Sequence, residues 1–373
     1  MKKTKILQFP IANANGGKTQ YVLQNWKFID RSRFHFDFMT VSPELDFADE
    51  LLTQGCKIHW LSCRAEENEQ QFSEEVNAAL DEGYEAIHLH TGYWQSFLAE
   101  EIAKRRGVPA IIIHSHNTGI GIADVLAHEN AMNWHERQKK IFSTDMATNF
   151  LACSNAASNW LYGPQIQKDL ITILPYAIDV ERFAYNPAVR KKCRHELGLD
   201  GCFVMGHIGR FEYQKNHGFL LDVFTGIYDE ISNATLMLIG IGAEFERIKA
   251  KANDLGISDR ILFLGKRDDT AALYQAMDLF VLPSIYEGLG IVMVESQTAG
   301  LKCIISSSAS LPENTITSNV FSLPLDTAIW RDAIVKNART SYCRRDHSIE
   351  VAAAGYSIKE QIKVLERIYM NSK

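Results

Sequence analysis

Two stretches of the sequence carry residues of the right types and spacing to hold a phosphorylated ligand. In "HIGRFEYQKNHGF" (207–219), Arg210 and Lys215 stand just past an apolar run and just before a helical pattern. A planar guanidinium and a point-charge ammonium on one strand-to-helix loop can bracket a diphosphate. In "LPSIYEGLGIVMVESQTAG" (282–300), Glu287 precedes Gly288, Leu289 and Gly290, and the helical pattern that follows carries Glu295. A helix opened by a glycine turn leaves first-turn N–H groups free to meet an anion. Carboxylates suit sugars and ribose, because each oxygen accepts more than one hydrogen bond. Along a helix, a step of about eight residues returns to within roughly 80° of the start, so Glu287 and Glu295 are expected to face one ligand lengthwise. Taken singly, the first stretch also reads as a solvated basic loop, and the second as a solvated helix with a capping Glu.

A third stretch, "NANGGKTQ" (13–20), follows the apolar run "KILQFP" and ends like a phosphate-binding P-loop at Gly17-Lys18-Thr19. That loop needs G-x-x-x-x-G-K-[ST], which puts its first glycine where Ala12 stands. There is no Asp suitably placed after a later apolar run to hold magnesium, and G-x-G-x-x-G is missing after the first run. Nucleoside-triphosphatase and dehydrogenase readings are both disfavoured. What remains is a strand, a polar loop with Gly16 and Gly17, and a helix from about Gln20. Adjacent glycines let the backbone approach a ligand, and the helix start behind them favours an anion. An ordinary tight turn fits the same residues.

Such residues need strand ends to present them. Short apolar runs alternate with helical patterns throughout: "KILQF" (5–9), "FHFDFMT" (34–40), "AIHLH" (86–90) and "AIIIH" (110–114) in the first half, "FVMGHIG" (203–209), "TLMLIG" (235–240), "LFVLP" (279–283) and "CIISSS" (303–308) in the second. Alternation in both halves predicts an α/β protein with two Rossmann-like, doubly wound parallel sheets and a cleft between their carboxyl ends. The expected division is 1–178 for an acceptor-side domain and 179–356 for a donor-binding domain. A helix over 357–373 is expected to cross back to the first domain; its start is marked by the Ser357-x-x-Glu360 capping box and its apolar stripe by Ile358, Ile362, Leu365 and Ile368.

The bulk properties suit this. The chain has 373 residues, too many for one ordinary core, with 46% hydrophobic and 23% charged residues and a net charge of −6. Neither half is basic, so nucleic acid is not expected as a partner. Seven scattered cysteines without C-x-x-C read as free thiols in a reducing compartment. "MKKTKILQFP" reads as a first strand rather than a signal peptide, and no run approaches the ~20 apolar residues of a membrane span.

The order G-R-x-x-x-x-K-N, then G-x-G after a strand ("IGIGAEF", 239–245), then "LGKRDD", then "MDLFVLPSIYEGLGIVMVE" resembles the retaining nucleotide-sugar glycosyltransferases of GT-B fold, glycosyltransferase family 4. Glu287 and Glu295 form their E-x7-E element. In the first half "IDRSRFHFDFMT", "IIHSHNTG" and "LACSNAASNWLYG" resemble the branch that builds capsular polysaccharides and exopolysaccharides. The resemblance implies a donor, a nucleoside-diphosphate sugar, held against the second domain. Arg210 and Lys215 match the residues that bind its diphosphate, and Glu295 the Glu that binds ribose. Glu287 matches the Glu beside the transferred sugar, with Gly288, Leu289 and Gly290 contacting that sugar. Arg267 and Asp268 match the strip that holds the base, and Gly16 and Gly17 the first domain's glycine loop. The family's strand-end His near the reacting carbon matches His114 or His116, with His116 further into the loop. His90 is a further acceptor-side candidate.

Three departures stand out. Thr19 occupies the place of a usual Glu after the glycine loop, which makes it an acceptor-side candidate. E-G-F-G is E-G-L-G here. Tyr176-Ala177 in "LPYAIDVERF" stands where Asn-Gly is usual. The resemblance further implies retention of anomeric configuration, a uridine donor, and transfer of a hexose or N-acetylhexosamine to a glycan or lipid-linked glycan. It implies no cofactor, and since D-x-D is absent, no metal. The expected location is cytoplasmic, with peripheral contact at the inner face of the plasma membrane left open through Lys104-Arg105-Arg106 and Lys139-Lys140. The alternatives are a non-catalytic nucleotide-sugar-binding partner subunit, or transfer to a small molecule or protein.

Overall fold

The computed structural model describes residues 3–13, 17–122, 124–307 and 311–371. The chain divides into two compact units, Met1–Tyr176 with Ile358–Lys373, and Ala177–Ser357. The divisions fall at 176/177 and 357/358, where the sequence suggests 178/179 and 356/357. Local bonds decide the difference. Tyr176 stacks on Tyr21 in the first unit, whereas Ile178 donates to the Tyr356 carbonyl at 2.8 Å in the second.

In the first unit seven strands form one sheet in the order β3-β2-β1-β4-β5-β6-β7. They are β1 (Thr4–Phe9), β2 (Phe34–Thr40), β3 (Ile58–Trp60), β4 (Ala86–Thr91), β5 (Ala110–Ser115), β6 (Asn149–Ala152) and β7 (Ile171–Ile173). The second unit orders six strands as β10-β9-β8-β11-β12-β13. These are β8 (Phe203–Ile208), β9 (Ala234–Ile239), β10 (Ile261–Phe263), β11 (Leu279–Leu282), β12 (Lys302–Ser306) and β13 (Val320–Leu323). Every pairing is parallel. Strand order reverses between β1 and β4 and again between β8 and β11. Ligands of open parallel sheets bind at the carboxyl ends beside such a switch point.

Near-continuous apolar runs suit central strands buried on both faces, and Val281, Ile304 and Ile305 are fully buried. β13 is half-exposed at the sheet edge, so "VFSL" lacks the apolar run that reveals the others. The helix after β1 runs Gly17–Phe28, beginning three residues earlier than the pattern suggests (20 − 17). The last helix, Ile358–Asn371, rests on that helix and on β1, burying Ile358, Ile362, Leu365 and Tyr369.

Candidate active site

The two charged stretches meet at the switch point of the second sheet. Arg210 and Lys215 follow β8; Glu287 follows β11, the strand beside it. Their loops are stitched together. The Ile285 N–H donates to the Gln214 carbonyl at 2.9 Å, and the Gln214 side-chain amide donates to the Tyr286 carbonyl at 2.8 Å. Lys215 Nζ and Glu287 Oε1 form an ion pair with both side chains largely buried. One of the three ammonium donors is thereby used, which leaves two for a ligand oxygen. Arg210 remains exposed, and among the described residues no carboxylate pairs with it. The arrangement offers a diphosphate one exposed fork and one ammonium fixed by its ion pair.

Glycines allow the loops to sit this close. A Cβ on Gly240 would lie 2.0 Å from the Gly209 carbonyl oxygen, and one on Gly242 2.5 Å from that of Phe211. The G-x-G after β9 is a packing surface for the Arg210 loop, since only hydrogen fits there. Under the loop lie two histidines the sequence reading did not single out. His207 donates to or accepts from nothing at Nε2, and both ring nitrogens of His217 are buried without partners. His217 stacks on Phe211 with centroids 4.0 Å apart. Burial holds the His207 ring down to about 4, so it stays neutral beside Lys215.

Glu287 precedes the helix that carries Glu295, as the sequence suggests, but helical periodicity does not relate the two. The helix is Ile291–Thr298, and Gly290 caps it in the left-handed conformation with φ 73°. Glu287 therefore sits on the preceding loop, where the 100° periodicity has no meaning. A Cβ on Gly290 would come within 2.7 Å of Leu311 Cδ2, and the Leu289 carbonyl accepts from Asn314 Nδ2 at 2.6 Å. The turn that aims the first-turn N–H groups is thus fixed from behind. Glu295 accepts from the Tyr274 hydroxyl at 2.8 Å. Its carboxyl end is buried, and that burial pushes its pKa up to about 7 against the opposing pull of Tyr274 and Arg182.

Arg267 and Asp268 lie on the exposed turn after β10. Arg267 is held in a two-point pair with Asp269, at 2.7 and 2.6 Å. The Asp268 carbonyl accepts from Arg182 at 2.9 Å. Arg182, absent from the sequence reading, thus ties this turn to the residues near Glu295. Only its distant position in the chain hid it.

In the first unit Gly16 lies outside the described residues. Gly17 is the first residue of its helix with an ordinary φ, and a Cβ there would only touch the Tyr176 ring at 3.7 Å. Internal packing does not demand glycine at this position. Thr19 is buried and its hydroxyl accepts from the Ala12 N–H at 3.2 Å, so it braces the loop. Lys18 reaches the His90 carbonyl at 3.3 Å.

The histidines form a buried ribbon on one face of β4 and β5. His90 Nδ1 meets His116 Nε2 at 2.8 Å, His116 Nδ1 meets the Tyr176 hydroxyl, and His90 Nε2 meets Gln8 at 2.8 Å. Both nitrogens of His116 are therefore engaged within the unit. His114 is fully buried on β5, bonded at 3.3 Å to His88, with Nε2 left without a partner. Burial, reinforced by neighbouring rings, holds His116 and His90 well below the ordinary histidine range. His88, His90 and His114 bring ligand atoms within 4.8 Å of one another, the one such group among the described residues. Five of their six ring nitrogens already have partners.

Beside the ribbon, at the switch point of the first sheet, a cavity of about 310 Å³ opens between the segments that follow β1, β2 and β4. Phe9, Phe72 and Leu89 give it an apolar wall; Lys18 and Arg64 bring cations to it.

The family model for Glycosyl transferases group 1 matches residues 190–327, a span that contains both charged stretches. EpsF of Bacillus subtilis (strain 168), named as a glycosyltransferase, is 29% identical over 367 residues, covering 95% of this chain and 93% of that one. An Escherichia coli relative, the UDP-Gal:alpha-D-GlcNAc-diphosphoundecaprenol alpha-1,3-galactosyltransferase, is 28% identical over 234 residues, covering 61% of this chain and 58% of its own. The structure of Anabaena HepE in complex with UDP and glucose superimposes with a TM-score of 0.78 at 17% identity, covering 100% of both chains. Fold, family model and relatives agree: the protein is a hexosyltransferase-type glycosyltransferase of GT-B fold, and its segment 190–327 is similar to the group 1 glycosyl transferases.

Proposed function

We propose that the protein transfers a hexose or N-acetylhexosamine from a UDP-sugar, with retention, to a glycan or lipid-linked glycan during polysaccharide synthesis. The observation that carries this reading is the exposed Arg210 fork beside the buried Lys215–Glu287 pair, at the carboxyl ends of β8 and β11. The relatives support the choice of substrates: one is named for a UDP-galactose donor and a diphosphoundecaprenol acceptor, and HepE was captured with UDP and glucose.

Departure of the nucleotide leaves positive charge on the sugar ring and negative charge on the leaving phosphate. Arg210, Lys215 and the N–H groups of the helix Ile291–Thr298 are placed to stabilise that negative charge without a metal. Glu295 receives the ribose hydroxyls, the backbone from Gly288 to Gly290 contacts the sugar, and the turn at Arg267 and Asp268 receives the base. Glu287 is a poor nucleophile while paired with Lys215, so a front-face route fits better than a double displacement. The acceptor oxygen bonds to the anomeric carbon, the bond from that carbon to the phosphate oxygen breaks, and the acceptor proton passes to the phosphate. His116 and His90 are the first unit's acceptor-side residues by the resemblance, and the cavity beside their ribbon takes the acceptor.

The test is isothermal calorimetry with UDP, followed by product analysis across nucleotide-sugars. Arg210→Ala is expected to weaken UDP binding at least tenfold with the melting temperature unchanged. Unaltered UDP affinity in that variant sinks the assignment.

We place the enzyme in the cytoplasm, touching the inner membrane face. No helix of the described residues is long and apolar enough to cross a membrane. The basic clusters are mostly answered, Lys104 by Asp145 at 2.7 Å and Arg106 by Asp81. The contact rests instead on Leu126, Trp134 and Ile141, exposed on the helix Val125–Ile141. Sedimentation with phosphatidylglycerol vesicles is expected for the native chain and lost on changing Leu126 and Ile141 to Ser.

A further inference from the structure

The cavity of the first unit contains a group that the reaction above does not use. Glu100, in the first turn of the helix Leu98–Arg105, is only 5% exposed, and it lines this cavity. Among the described residues no cation and no side-chain donor meets its carboxyl; only its own backbone N–H does. A buried carboxyl group with a single backbone partner is costly, unless a ligand supplies others. Burial pushes its pKa up to about 7, so near neutral pH it is shared between a protonated form that both donates and accepts and an ionised form that only accepts.

The rest of the cavity limits what that ligand can be. Phe9, Phe72 and Leu89 offer an apolar surface, and the half-buried ring of Tyr93 stands among them. A sugar ring has this duality, with C–H patches for an apolar wall and hydroxyl or acylamino groups for a carboxyl. A volume of about 310 Å³ lies at the lower end of ligand pockets, about 300–1,000 Å³. It suits one ring with its substituents, and is too small for a polyprenyl chain.

Resting on the transferase reading, we propose that Glu100 selects the acceptor: its carboxyl hydrogen-bonds a hydroxyl or acetamido group of the acceptor's terminal sugar, seated against Phe9 and Phe72. Glu100 is then a specificity-determining residue that takes no part in breaking the donor bond.

The probe is a set of four methyl glycosides, of glucose, galactose, mannose and N-acetylglucosamine. Binding to the full chain is followed by saturation-transfer NMR, with UDP calorimetry on the same samples. At least one glycoside is expected to give a signal that falls at least fivefold in Glu100→Ala. In Glu100→Gln the order of preference among the four is expected to change, while UDP affinity stays within twofold in both variants. Glu100→Gln removes a buried ionisable group and keeps the shape, so the fold survives in at least that variant. The proposal is overturned if no glycoside binds, or if binding and preference are the same with Glu100 replaced. Loss of UDP binding in the native chain would instead overturn the transferase reading.

Discussion

At the scale of single residues, environment decides what each charged group can do. Glu287 and Glu295 are chemically alike in the sequence, but one is paired to Lys215 and the other bonded to a tyrosine hydroxyl. Glu295, held up to about 7 by burial, is mostly protonated at pH 6 and mostly ionised at pH 8. Ribose hydroxyls donate, so the ionised form binds better. UDP affinity is expected to rise about tenfold between pH 6 and 8, and Glu295→Gln to flatten that rise relative to the native chain. The stability sign is opposite. A carboxyl with a raised folded pKa contributes stability that is present below its unfolded value of 4.5 and lost as pH rises through about 7. Calorimetry from pH 5 to 8 reads both effects, and a parallel pH response in the Gln variant refutes them. The same logic explains the histidine ribbon: a neutral ring has one donor and one acceptor and can bond the next ring, whereas two protonated rings offer only donors to each other.

At the scale of elements, the site depends on turns that bend the chain where a strand becomes a helix. Gly290 holds φ 73° and abuts Leu311, so a side chain there meets both a disfavoured backbone region and a collision at 2.7 Å. Gly290→Ala is expected to cost about 1–3 kcal/mol of stability in urea unfolding. Because the turn orients the N–H groups, UDP affinity should fall as well. Native stability in this variant would show that Leu311 yields and the turn is not constrained. The sequence pattern located these turns well, since glycine pairs beside apolar runs are their signature. It also put the helix Ile291–Thr298 after the glycine turn, but it carried the helical period back to Glu287, across a left-handed cap where that period does not apply.

At the scale of the whole molecule, the two units have different relations to the chain. The second unit is one continuous segment, Ala177–Ser357, whereas the first needs the terminal helix Ile358–Asn371 as well. That helix buries Ile358, Ile362, Leu365 and Tyr369, each worth about 1.5–3 kcal/mol, a sum comparable with a domain's net stability of about 5–15 kcal/mol. The Tyr369 hydroxyl also bonds Gln8 at 3.1 Å and His88 at 2.8 Å. A chain ending after Ser357 is therefore expected to lose the fold of its first unit. Limited proteolysis should then leave a fragment beginning near residue 177 that still binds UDP; survival of both units to protease would contradict this.

The apolar runs of the central strands, the two-sheet architecture and the charged loops after β8 and β11 were legible in the sequence. Each depends on neighbours close along the chain, where periodicity, glycine spacing and charge are directly visible. Tertiary structure alone decided that Lys215 is engaged by Glu287, that His116 has both nitrogens occupied, that Arg182 braces the turn after β10, and that Glu100 faces a cavity. These are contacts between segments tens to hundreds of residues apart. Whether a carboxylate there is paired, protonated or waiting for a ligand depends on burial and partners that no local pattern records.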